Sequence, residues 1–145
     1  MKPLSLALLL GLAGCASSSS LPPELEGKRS FDQTSPLPYQ EAYRIISRQM
    51  RVCFEKVGAG GKNGFEVVSS IDAAGRKATI NALYHGLFSG SNPEEASQSR
   101  KVTLTPDGNG STIVTSGPDS KNVYETHLSI RSWLSGVQTC NPTSL

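Results

Sequence analysis

The stretch YQEAYRIISRQMRVCFEKV, residues 39–57, decides the fold. Tyr39, Tyr43, Ile46, Met50, Cys53 and Val57 recur at spacings of four and three, and Ala42 and Phe54 widen the stripe. Apolar residues at that period lie on one face of an amphipathic helix. The spacing therefore predicts a helix over 39–57, entered after Pro38 and stopped by Gly58-Ala59-Gly60-Gly61. A helix with one apolar stripe has to bury it against a second layer.

The next segments supply that layer. Phe65 to Asp72 alternates with Phe65, Val67 and Ile71 on one face, and Ala73-Ala74-Gly75 turns into a second strand over Lys77 to Tyr84. A polar loop runs from His85 to about Ser99. Lys101 to Thr105 and Ser111 to Thr115 are two further strands, joined by a tight reversal at Pro106-Asp107-Gly108-Asn109-Gly110. A second helix follows Gly117-Pro118, with Val123, His127, Ile130, Leu134 and Val137 on its apolar side. Asn122 to Glu125 has the form of a capping box, and Asp119 and Ser120 are alternative caps. The expected domain, residues 39–141, is α+β in the order α-β-β-β-β-α. It is a four-stranded, mostly antiparallel sheet with both helices packed on one face, followed by a tail at 142–145.

Upstream of the domain, ASSSSLPPELEGKRSFDQTSPLP (16–38) is rich in Ser and Pro and has no sustained apolar period. It reads as a flexible tether. Residues 1–14 begin with the positive Met1-Lys2 and continue as an apolar run over Leu4–Leu12. Nine helical residues span about 14 Å, less than half of a hydrocarbon core of roughly 30 Å, so the run is too short to cross a bilayer and reads as a signal peptide. The run ends in Leu12-Ala13-Gly14-Cys15, which resembles the lipobox of bacterial lipoproteins. The resemblance implies cleavage before Cys15, acylation of that cysteine, and residues 15–38 as lipidated N-terminus and tether. Two or three acyl chains hold a protein on a membrane far more firmly than one. Ala16 stands where the family's inner-membrane retention signal has Asp, so the resemblance implies the outer membrane, facing the periplasm.

With Cys15 assigned to lipid, Cys53 and Cys140 remain, and an exported chain with two cysteines usually pairs them. The alternative is a redox or nucleophilic thiol, against which stands the absence of any Cys-x-x-Cys motif. The order of elements, with one cysteine in the first helix and another just after the last, resembles helix-grip-like domains in lipoprotein subunits of outer-membrane assembly machines. It is also similar to small proteobacterial lipoproteins of unknown function.

A formal charge of +2 and an aromatic content of 6% argue against nucleic acid as a partner, which needs a concentrated basic face and stacking rings. Lys62 follows a glycine run, but a phosphate-binding loop would need another glycine upstream and Ser or Thr where Asn63 stands. His85 and His127, the two histidines, have no metal-ligand spacing. Residues 86–90 lack the Gly-x-Ser-x-Gly spacing of a nucleophile elbow, and Glu94-Glu95 reads as a solvated pair. No enzyme, cofactor or metal site is expected.

Two features carry possible contacts. Arg44, Arg48 and Arg51 form a basic row on the first helix, within pairing reach of Glu41 and Glu55. Its alternatives are a solvated, ion-paired face or a contact with lipid phosphate or an acidic partner. Leu87-Phe88 places two large apolar residues in a Gly/Ser loop, either as a lid on the core or as an exposed contact. The expected function is a membrane-anchored, non-enzymatic docking or accessory module for other envelope proteins. A small-ligand or lipid-binding periplasmic domain is the alternative, and it requires a cavity between helices and sheet.

Overall fold

The computed structural model describes residues 21–57, 64–85 and 97–140. A short 3₁₀ turn at Pro23–Leu25 leads into β1 (Ser30–Ser35), α1 (Tyr39–Phe54), β2 (Lys56–Val57), β3 (Gly64–Asp72), β4 (Lys77–His85), β5 (Ser97–Asp107), β6 (Gly110–Ser116) and α2 (Ser120–Leu134). All the strand pairings are antiparallel, in the spatial order β1-β6-β5-β4-β3-β2. The fold is α+β with two helices, as expected, but the sheet has six strands and not four.

One added strand corrects the tether. Ser30–Ser35 pairs along its whole length with Ser111–Ser116, and the Arg29 carbonyl accepts from the Gly117 N–H, so the chain from Arg29 onward belongs to the domain and not to a linker. The strand SFDQTS turns Phe31, Gln33 and Ser35 inward, and only Phe31 is apolar. Its period of two is therefore nearly invisible in hydropathy. The other addition corrects the end of the first helix. α1 stops at Phe54, Glu55 turns extended (φ −70°, ψ 109°), and Lys56 and Val57 pair with Phe65 and Gly64. Val57 matches the helical stripe by period but belongs to a hairpin. Pairing with a neighbouring strand satisfies backbone groups that a fraying last helical turn leaves open.

The remaining strands extend their expected bounds by one to four residues. β4 and β5 take His85 and Ser97–Ser99 from what the sequence suggests is loop. Gly108 and Asn109 form the β5–β6 turn, with positive φ at Gly108, the first central position, as a type II′ turn demands.

Alternation on the strands sorts the core. Val67, Ala78, Ile80, Ala82, Val102, Leu104 and Ile113 face the helices and are buried. They meet Tyr39, Ala42, Ile46 and Met50 from α1 and Ile130 and Trp133 from α2, so both stripes cover one face of the sheet. The opposite face presents alternate residues such as Thr79, Lys101, Thr103, Thr112 and Val114, which are half-buried.

At the start of α2, Asp119 is the cap: its Oδ1 accepts from the backbone N–H of Asn122 at 2.8 Å. The helix ends in a Schellman motif. Gly136 takes φ +95°, its N–H donates to the Trp133 carbonyl, and that of Val137 donates to the Ser132 carbonyl. Val137 therefore leaves the apolar stripe and is exposed.

Cys53 and Cys140 form a disulfide, with Cα atoms 5.2 Å apart. It ties the last turn of α1 to the segment after α2, beside the Phe54–Trp133 edge contact at 6.4 Å. The indole Nε1–H of Trp133 donates to the Thr139 carbonyl at 2.7 Å and holds the same segment down.

Gly117 sits where α2 meets the sheet. A Cβ there would lie 2.6 Å from the Ser99 carbonyl oxygen and 2.9 Å from Val123 Cγ2. Gly117→Ala is expected to lower stability by about 1–3 kcal/mol, the usual cost of overpacking, measured as a fall in urea midpoint. An unchanged midpoint would show that the strand end gives way freely.

Candidate interaction groove

The basic row stands on α1 where that helix lies over β3. A surface hollow of about 400 Å³ runs between them, lined by Tyr43, Arg44, Ser47, Arg48, Arg51 and Ser69 together with Val52. Helical spacing puts Arg44, Arg48 and Arg51 on adjacent turns of one face. Ser47 reaches down from the buried side of the same helix. Its Oγ donates to Ser69 Oγ at 3.1 Å, and Arg51 Nη2 donates to that oxygen at 2.8 Å. The groove floor is thereby pinned to the strand, and the Arg51 guanidinium is held at its edge.

The expected ion pairing of the row is not what the structure shows. Among the described residues His85 Nε2 lies 2.9 Å from Glu66 Oε2 and Lys121 pairs with Glu125 at 4.0 Å, and neither contact includes the arginines. Glu41 lies at the start of α1 and Glu55 has left the helix, so neither closes on the row. Val52, 68% exposed, adds an apolar side chain beside three cations.

The sequence reading picks out the arginines but misses Tyr43, Ser47, Val52 and Ser69. Val52 carries a signal in the sequence, since it is an apolar residue off the helical stripe and flanked by Arg51. Ser69 carries none, because its role depends on how α1 crosses β3. Leu87 and Phe88, and the proposed lipid site Cys15, lie outside the described residues.

Polar groups under α2 form a second cluster. His127 is buried, with its ring 5.6 Å from that of Phe31 and stacked on Tyr124 at 6.5 Å, and its Nδ1 has no hydrogen-bond partner among the described residues. Burial pushes its pKa below the ordinary histidine value; nearby Arg131 and Lys28 add to this and Asp32 opposes it. The folded state thus binds that proton less readily than the unfolded chain. Stability from this residue is full above the unfolded pKa of about 6.5 and is lost as pH falls through the lower folded value. The urea midpoint is expected to drop between about pH 7 and pH 5, and His127→Gln should flatten that drop. An equal slope in the variant would assign the pH dependence to other groups.

Arg100 lies on the inner face of β5 with its guanidinium 4.5 Å above the Phe54 ring. Burial lowers its pKa, and Glu125 and Asp119 pull it back up. These contacts serve packing between the helix ends, because the side chain points into the layer between sheet and helices. A second hollow of about 400 Å³ opens at the far end of the sheet, between the start of α1 and the two turns containing Arg76 and Gly108. No group of three His, Cys, Asp or Glu among the described residues could hold a metal ion. No described helix is long and apolar enough to cross a membrane.

Comparison with protein-family models, with curated proteins and with solved structures finds no match. The functional reading rests on the chain itself.

Proposed function

We propose that this chain is a lipid-anchored envelope protein, exported, acylated on Cys15 and sorted to the outer membrane. Its domain serves there as a non-enzymatic docking or accessory module for other envelope proteins. The observation that carries the docking half is the groove between α1 and β3, in which a row of exposed arginines has no carboxylate partner among the described residues. Desolvating guanidinium groups is costly unless an anion arrives, so an unpaired row favours an anionic partner over a neutral one. The anchor half rests on the charged, then apolar, then Leu12-Ala13-Gly14-Cys15 order at the N-terminus.

A filled layer between helices and sheet favours docking over the ligand-binding alternative. Ile46, Met50, Ile80, Leu104, Ile113, Ile130 and Trp133 occupy that space, each no more than 2% exposed. A small-molecule site needs a concave, largely preformed cavity. The hollows described above instead lie on the surface.

A photo-crosslinking amino acid placed at Val52 in intact cells tests the reading. It is expected to capture a defined envelope protein, and the adduct should vanish when Arg44 and Arg48 are changed to Glu. The same probe at Phe88 decides whether the Leu87-Phe88 pair belongs to the contact. Absence of specific adducts at both positions would remove the docking assignment.

A further inference from the structure

The arginine groove borders a strand edge that the sheet leaves open. β2 covers β3 only at Gly64 and Phe65, so on the side away from β4, Glu66–Asp72 has no strand partner among the described residues. At about 3.4 Å per residue, that edge is roughly 24 Å long. Sheet edges are commonly blunted by Lys, Pro or very short strands, because unpaired backbone N–H and C=O groups template pairing with another chain. The sequence GFEVVSSID contains neither Lys nor Pro. Val68 and Ile71, on opposite faces of the strand, are both more than 40% exposed. The edge therefore combines unpaired main chain, apolar surface and, directly above it, Arg44, Arg48 and Arg51.

We infer that Glu66–Asp72 receives an extended, acidic peptide segment of a partner protein as an added strand, whose carboxylates meet the arginines of α1. This deepens the docking assignment above and rests on it. The spacing is compatible. Arg44 and Arg48 are separated by about 6 Å along the helix axis, and alternate residues of a strand, which share one face, lie about 6.8 Å apart. A guest with Asp or Glu at every second position therefore presents its carboxylates toward the helix at nearly the pitch of the arginines. Main-chain pairing supplies affinity that does not depend on side chains, and the arginines supply selectivity for acidic residues. Arg51 is already held at the edge by Ser69, so less of its freedom is lost on binding. The carboxylates of β3 itself do not occupy the row: Glu66 pairs with His85, and Asp72 Oδ1 accepts from the Gly75 N–H at 2.8 Å. An anionic membrane would also attract the row, but a bilayer offers no main chain to an open strand edge.

The test uses the exported, oxidised protein and three probes. These are a fluorescent peptide of about ten residues alternating Thr and Glu, the same peptide with Pro in place of Thr, and phosphatidylcholine vesicles containing phosphatidylglycerol. Binding of the Thr-Glu peptide with slowed hydrogen exchange at Glu66–Asp72 amides is the expected result. The Pro-Glu peptide carries equal charge but cannot form a regular ladder, and should bind at least about tenfold more weakly, as should the Thr-Glu peptide to the Arg44→Glu, Arg48→Glu variant. Those arginines are exposed, and a melting temperature unchanged by the substitutions excludes a folding defect. Equal binding of both peptides overturns strand addition. Vesicle binding without peptide binding overturns it too and assigns the row to lipid headgroups. Binding of none of the probes also overturns it. Each of these failures leaves the docking assignment standing as long as the crosslinker at Val52 or Phe88 captures a partner.

Discussion

Reduction of the Cys53–Cys140 bridge, or its replacement in the double variant Cys53→Ser, Cys140→Ser, is expected to cost the domain up to about 4–5 kcal/mol. The closed loop spans a sequence separation of 87 residues, and constraint of the unfolded chain by a loop of that length gives this figure in the chain-entropy model. Set against a total of about 5–15 kcal/mol for a typical domain, the loss removes between about a third and nearly all of the stability. The bridge also fastens the segment after α2, where Trp133 donates to Thr139, so fraying should begin there. Trp133 is the single tryptophan and is buried beside Phe54, which makes its fluorescence a direct report. Urea unfolding followed at that residue, with and without reductant, gives the measurement. Coincident midpoints would mean that the packed core, and not the bridge, sets the stability.

The second large effect concerns location. Cys15→Ala should leave an unprocessed, unacylated precursor that takes up no fatty-acid analogue, whereas the parent protein is labelled and pellets with the membrane. Each buried methylene contributes about 0.8 kcal/mol, so loss of two or three chains changes membrane residence from very long to negligible. Equal labelling of the variant would end the lipoprotein assignment. Membrane retention without label would instead point to an anchor elsewhere in the chain. β1 begins at Ser30, so an acylated Cys15 would be joined to the sheet through residues 16–29, a shorter connection than one reaching to residue 38.

Legibility in the sequence followed the strength of the hydropathy pattern. α1 and α2 are marked by several apolar residues at a clean period, and Ile46, Met50 and Ile130 are buried as their spacing implies; on β3 the alternation places Val67 correctly, but Ile71, assigned to the same face, is exposed. β1 was not legible. Its inward residues are Phe31, Gln33 and Ser35, and of these only Phe31, packed on Tyr124 and His127 of α2, is apolar. The end of α1 was misread because Val57 satisfies a period of four from Cys53 and also a hairpin beside the glycine run. Which one prevails depends on a partner strand that lies later in the chain. In the groove, the arginines are visible as a row, but their lack of carboxylate partners among the described residues and their position beside the outer edge of β3 are not.

The sequence by itself determined the class of the domain, the two helical faces, most of the strands, and the cysteines available for pairing. Periodicity and composition are local properties, and local properties suffice for those features. Only the tertiary structure decided that Ser30–Ser35 of the supposed linker joins the sheet as edge strand β1 and that Cys53 and Cys140 meet. It also decided that the outer edge of β3, over Glu66–Asp72, has no strand partner among the described residues and lies beside three arginines. Each of these depends on backbone pairing or side-chain approach between residues far apart in the chain, and such approach is set by the packing of two layers, which no single window of sequence encodes.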